Sequence, residues 1–185
     1  MKKSILIAVL GVAACAATSY GQGYVVMSSY LANGGLGAVT YMPDGTTPVS
    51  GNFTAELYFA LGTVSDPGNG GPISGLFAPI PSSLVSYDAN NDGYFQNSTT
   101  VIVPGYASGA ISFEVWAAGP GFQGRSGAFT ESKIGADSGA PPSIFGDNGP
   151  GLSNFSISPV PEPTTLALAG LGGLASLVAL RRKQS

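Results

Sequence analysis

Two runs of the chain alternate polar and apolar residues with a period of two. In Phe53-Thr54-Ala55-Glu56-Leu57-Tyr58-Phe59, the residues Phe53, Ala55, Leu57 and Phe59 share one face. In Ile111-Ser112-Phe113-Glu114-Val115-Trp116, Ile111, Phe113 and Val115 do the same. That period marks a half-buried β-strand. Shorter runs rich in β-branched and aromatic residues at 24–27, 38–41, 84–87, 99–103 and 154–158 predict five more strands. Turn signals separate them: Pro43-Asp44-Gly45, Asn91-Asp92-Gly93, Gly119-Pro120-Gly121 and Asp147-Asn148-Gly149. Between the two ends of the chain no run carries a helical stripe. The pattern predicts an all-β domain, an antiparallel β-sandwich of the Ig-like or jelly-roll kind. Residues 62–80 and 118–153 read as long loops, and no internal repeat suggests a solenoid.

The ends of the chain have a different pattern. Lys2 and Lys3 precede an apolar and small-residue run over 4–17, the layout of a secretory signal peptide. Ser19-Tyr20-Gly21 offers small side chains at a peptidase site, which would make Gln22 the mature start; Ala14-Cys15-Ala16 is an alternative site of the same kind. Val12-Ala13-Ala14-Cys15 also fits a lipobox, in which Cys15 carries a lipid anchor; otherwise Cys15 is lost with the leader. At the other end Val160-Pro161-Glu162-Pro163 leads into an apolar run to Leu180 and then Arg181-Arg182-Lys183. Residues 164–180 make roughly 25 Å of helix at ~1.5 Å per residue, short of a ~30 Å hydrocarbon core. Gly170, Gly172 and Gly173 lower its helix propensity. Such a segment suits transient handling in a membrane, with the basic cluster as a cytoplasmic stop.

Those three C-terminal elements, in that order, resemble the PEP-CTERM sorting domain of Gram-negative bacteria. The resemblance implies an exosortase as partner, a membrane-embedded cysteine transpeptidase that cuts near Pro161, Glu162 and Pro163. It also implies passage through the inner membrane to the cell surface or matrix, in organisms that make exopolysaccharide. The chain then divides into a signal peptide (1–21), a β-sandwich domain (22–159) and a sorting signal with its transmembrane helix and basic tail (160–185).

Charge and composition narrow what the middle can do. Between residues 22 and 159, nine carboxylates oppose only Arg125 and Lys133, a balance of −7. Nucleic acid is therefore not an expected partner, since its binding needs clustered cations. The chain has no His, and Cys15 is its only Cys. This excludes His-based triads, Cys–His pairs and the usual zinc sites. A Ser–Lys pair from Lys133 with Ser126 or Ser132 is conceivable. So is a carboxylate pair from Glu56 and Glu114, which the alternation turns outward to solvent. The expectation is a domain that is not an enzyme, with a structural or adhesive role.

The alternative is a carbohydrate-binding module stabilised by Ca2+. Asp88, Asn90 and Asp92, followed by Gly93, reproduce the first half of a calcium loop. Thr99 stands where the closing Glu of an EF-hand belongs. The same residues equally suit a hairpin loop. Tyr58, Tyr87, Tyr94, Tyr106 and Trp116 are candidate sugar-stacking rings.

Overall fold

The computed structural model describes residues 22–68, 73–90, 92–135 and 142–160. The expected signal peptide with Cys15 lies outside the described residues. So do Asn91, the motif Pro161, Glu162 and Pro163, the expected transmembrane helix, and Arg181, Arg182 and Lys183. Among the described residues no helix is long and apolar enough to cross a membrane.

The domain is almost entirely β, as the alternation predicts. Its strands are β1 (Gly23–Ser28), β2 (Thr40–Tyr41), β3 (Thr54–Leu61), β4 (Ala78–Ser86), β5 (Gln96–Val103), β6 (Ile111–Gly119), β7 (Phe122–Arg125), β8 (Phe129–Glu131), β9 (Phe155–Ser156) and β10 (Ser158–Pro159). One irregular turn, Ala32–Gly35, interrupts them. A six-stranded sheet runs β10-β7-β6-β3-β4, with β8 also paired to β6. β1 and β5 form an antiparallel pair. β2 and β9 form a parallel one, a departure from the expected all-antiparallel pattern.

The apolar faces read from the sequence meet in one core. β1 contributes Val25 and Met27, β3 Ala55 and Leu57, β5 Val101 and Val103, and β6 Ile111, Phe113, Val115 and Ala117. Phe113, Phe129 and Phe145 cluster with ring centroids 5.1–6.0 Å apart. The two expected long loops contain structure. β4 begins at Ala78, ahead of the run that predicted it, and β7 and β8 lie inside 118–153. Pro79 and Pro81 mask the strand signal in β4. Both are tolerated because β4 is an edge strand, where a missing N–H breaks no ladder.

Serine hydroxyls repair the breaks in the ladders. On β3, the two steps from Ala55 to Leu57 oppose five on β4, from Ile80 to Val85. The Leu57 N–H, deprived of a strand partner, donates to Ser83 Oγ at 2.7 Å, and that hydroxyl donates to the Ile80 carbonyl at 2.6 Å. Ser83 is fully buried. Between β7 and β8 the chain bulges away from β6, and there the Val115 N–H donates to Ser126 Oγ at 3.0 Å. Past the end of β1, Ser29 Oγ accepts the Phe95 N–H at 3.1 Å.

Ser83→Ala removes an acceptor and leaves the buried Leu57 N–H unsatisfied. The expected loss is about 1–3 kcal/mol of unfolding free energy. Urea denaturation of the isolated variant, read as a lower midpoint with an unchanged slope, checks it.

Candidate functional site

The segment between β4 and β5 is a tight loop. Asp88 Oδ1 accepts the Asn90 N–H at 2.9 Å and Asp92 Oδ1 accepts the Tyr94 N–H at 3.2 Å. The Tyr94 carbonyl, the group a calcium loop would turn on the ion, accepts the Asp88 N–H at 2.8 Å. Gly93 takes a positive φ of 74°. It lies so close to β2 that a Cβ there would sit 2.6 Å from Val39 Cγ1 and 2.7 Å from the Thr40 carbonyl. These are the marks of a self-bonded hairpin loop. Among the described residues, no three of His, Cys, Asp and Glu group as a metal-holding cluster.

Asp88 and Asp92 nevertheless share one cleft of about 190 Å³ with Tyr30, Tyr94, Phe95 and Gln96. Asn90 is exposed and is not among the residues lining it. Tyr30 was not legible as a site residue. It follows β1 with no motif around it, yet it is 58% exposed and packs edge-to-face on Tyr94, centroids 5.5 Å apart at 89°. The proposed ring constellation is not assembled. Tyr87 and Tyr106 are buried, with their hydroxyls donating to Thr40 Oγ1 and the Gly109 carbonyl, each at 2.8 Å. Tyr58 is half-buried and donates to Glu56 Oε2 at 3.3 Å.

Glu114 overturns the outward reading of the β6 polar face. Residues 62–68 fold over that face, so Glu114 is 0% exposed. Arg125 Nη1 bridges Glu114 Oε1 at 2.9 Å and Asp66 Oδ2 at 2.8 Å. The same loop is fixed by Val64 N–H to Ser112 Oγ at 2.8 Å and Ala128 N–H to the Asp66 carbonyl at 2.8 Å. Burial pushes the Glu114 carboxyl above its ordinary range; Arg125 opposes that and Asp66 adds to it. The hydrogen bond from Arg125 holds Asp66 below its ordinary range. Glu114 Oε2 and Arg125 Nε are buried with no hydrogen-bond partner. Ser126, bound to the Val115 N–H, is buried, and Lys133 is exposed, so a Ser126–Lys133 pair has no support.

A second buried carboxylate closes the far end of the sheet. Glu131 on β8 accepts the Gly146 N–H at 2.6 Å and the Asn148 N–H at 2.8 Å. Burial raises its proton affinity more than those two bonds lower it. A carboxyl raised in the folded state contributes most below its unfolded value, near 4.5, and its contribution falls as pH rises through the folded value. The stability of the wild type relative to Glu131→Gln is therefore expected to decline between pH 4 and pH 7. Paired urea titrations across that range check it, and a flat difference contradicts it.

The chain leaves the domain along β9 and β10. β9 lies beside β2, with the Ile157 N–H on the Tyr41 carbonyl at 2.9 Å, and β10 lies beside β7. The last described residue, Val160, donates its N–H to the Gly121 carbonyl at 3.0 Å. No curated protein and no solved structure matches the chain. Residues 159–183 match the family model of the PEP-CTERM protein-sorting motif, and the chain therefore carries that motif from the last strand of its β-domain onward.

Proposed function

We propose that this chain is an exported substrate of an exosortase, carrying a non-enzymatic β-domain to the cell surface or matrix. The observation that carries the reading is the sorting motif at 159–183, which includes Pro161-Glu162-Pro163. In the cut, a cysteine thiolate of the enzyme takes the domain-side acyl group as a thioester. The tail leaves with a new amino group that gains a proton. Water or an amine acceptor then releases the acyl group. We also infer that the β1–β5 pair and the six-stranded sheet are the two layers of a sandwich, since both feed one core. The non-enzymatic reading is supported by Glu114, whose carboxylate is buried against Arg125 and out of a substrate's reach. The charge balance of −7 over residues 22–159, on a scaffold of strands, supports a structural or adhesive role.

Intact mass of the mature protein from fractionated native cells tests the sorting reading. The expected product ends near Pro163 and sits in the outer-membrane or extracellular fraction. A chain that still includes Arg182, in the inner membrane, overturns it.

One observation favours a second reading, a saccharide-binding module. The cleft pairs an exposed tyrosine ring with hydrogen-bonding side chains, Asp88, Asp92 and Gln96, and none of its described lining residues is a cation. Flat rings take the C–H face of a sugar, and carboxylates accept its hydroxyls. Two carboxylates with no cation disfavour anionic glycans, so the ligand is a neutral saccharide. The cleft is smaller than the ~300–1,000 Å³ of drug-sized ligand sites and suits a single ring. Titration of the domain with neutral oligosaccharides is expected to show binding that Tyr30→Ala weakens about tenfold, roughly 1.4 kcal/mol. Equal binding by wild type and variant, or none by either, removes this reading.

A further inference from the structure

The sorting motif begins inside the folded domain. The family match starts at Pro159, which is the second residue of β10 and lies opposite Phe122 on β7. Ser158 lies opposite Gln123, and the Val160 N–H is held by Gly121. Pro161 follows at once, with no linker. An extended chain covers at most ~3.3–3.6 Å per residue. Pro161, Glu162 and Pro163 can therefore reach no more than about 11 Å from Val160, whose N–H is held by the β6–β7 turn.

This geometry sets two conditions on any enzyme that takes the motif. Its cleft must come against the turn at Pro120 and Gly121. It must also compete with β7 for the backbone, because an extended peptide is gripped through its free N–H and C=O groups. The Val160 N–H is engaged on Gly121 and Ser158 is paired with Gln123, so the groups on either side of Pro159 are held along β7. Just upstream, Ile157 is 1% exposed, and Gly124 lies so close that a Cβ there would be 2.7 Å from the Ile157 Cα. Ser158 is half-buried, and Pro159 and Val160 are exposed. Peeling 158–160 breaks a two-residue edge ladder and leaves the core closed. Such edge fraying costs far less than global unfolding.

We propose that the processing enzyme docks on the β7–β10 edge of the folded domain. Residues 158–160 must leave β7 before the cut, and Ile157 is the peg at which the release stops. This inference rests on the exosortase reading above. It adds that the domain itself sets the rate of processing.

The test locks the edge. Val160 and Gly121 form a hydrogen-bonded pair, so Pro159 and Phe122 next to them form a non-hydrogen-bonded one, with Cα atoms about 4.5 Å apart. That separation accepts a disulfide, and the sequence has no Cys besides Cys15. The full chain with Pro159→Cys and Phe122→Cys is expressed in the native host, beside Pro159→Cys alone. Conversion of precursor to processed mass is followed by pulse-chase. The oxidised pair is expected to be processed several-fold more slowly than the single variant, and reductant should restore the rate. A six-residue Gly-Ser insertion between Val160 and Pro161 should speed processing of the wild type and rescue the locked chain. Equal rates for locked and reduced chains overturn the inference. If the double variant forms no disulfide, the insertion alone decides, and an unchanged rate overturns it. A wild-type chain that is never cut overturns the exosortase reading instead.

Discussion

A buried N–H that leaves its ladder must find another acceptor, and in this domain serine hydroxyls supply it. Ser83 serves the β3–β4 break, Ser126 the bulge between β7 and β8, and Ser29 the end of the β1–β5 pair. Ser112 does the same for the loop, accepting the Val64 N–H and donating to the Gly62 carbonyl at 2.9 Å. All four serines are buried. With that arrangement, short strands and frequent bulges are compatible with a closed core. A hydroxyl both accepts and donates, so one small side chain repairs a gap without importing charge.

Among the described residues the buried ion pairs centre on Arg125. Arg125 spans Asp66 and Glu114, and so ties the loop at 62–68 to the middle of β6. The loop can approach so closely because Gly68 lies directly on the backbone of Ser126 and Gly127, where no Cβ fits. Removing one partner would strand the other charges out of water, so the cluster acts as a fastener more than as a source of net stability. Glu131 fastens the opposite side with backbone N–H groups alone.

The sequence made the strands with clean alternation legible, because a period of two survives whatever packs above them. β1, β3, β5 and β6 all lie where their apolar runs predict. β7, β8 and the first half of β4 escaped; in β7 and β4, Gly124, Pro79 and Pro81 read locally as breakers and only the neighbouring strands make them β. Glu114 shows the matching weakness on the other axis. Alternation tells which residues share a face, but not whether a later loop will cover the second face. The cleft was half legible: Asp88 and Asp92 stood out as a loop motif. Tyr30 reaches them across the fold, and its partner Tyr94 was singled out as a ring without that contact. The sorting motif was readable throughout because its order of elements is local to the chain.

Proline positions in the large sheet carry a consequence for copies of this protein crowded together. One edge, β4, contains Pro79 and Pro81, exposes most of its residues and is broken by the register shift at Ser83. The other, β10, is two residues long and ends in Pro159. The short β8 is flanked by the 144–148 segment, through the Ser132 N–H on the Asn148 carbonyl at 2.9 Å. None of these edges presents a long, regular row of free donors. Strand-by-strand polymerisation through this sheet is thereby disfavoured, and neighbouring copies would keep their separate folds when crowded.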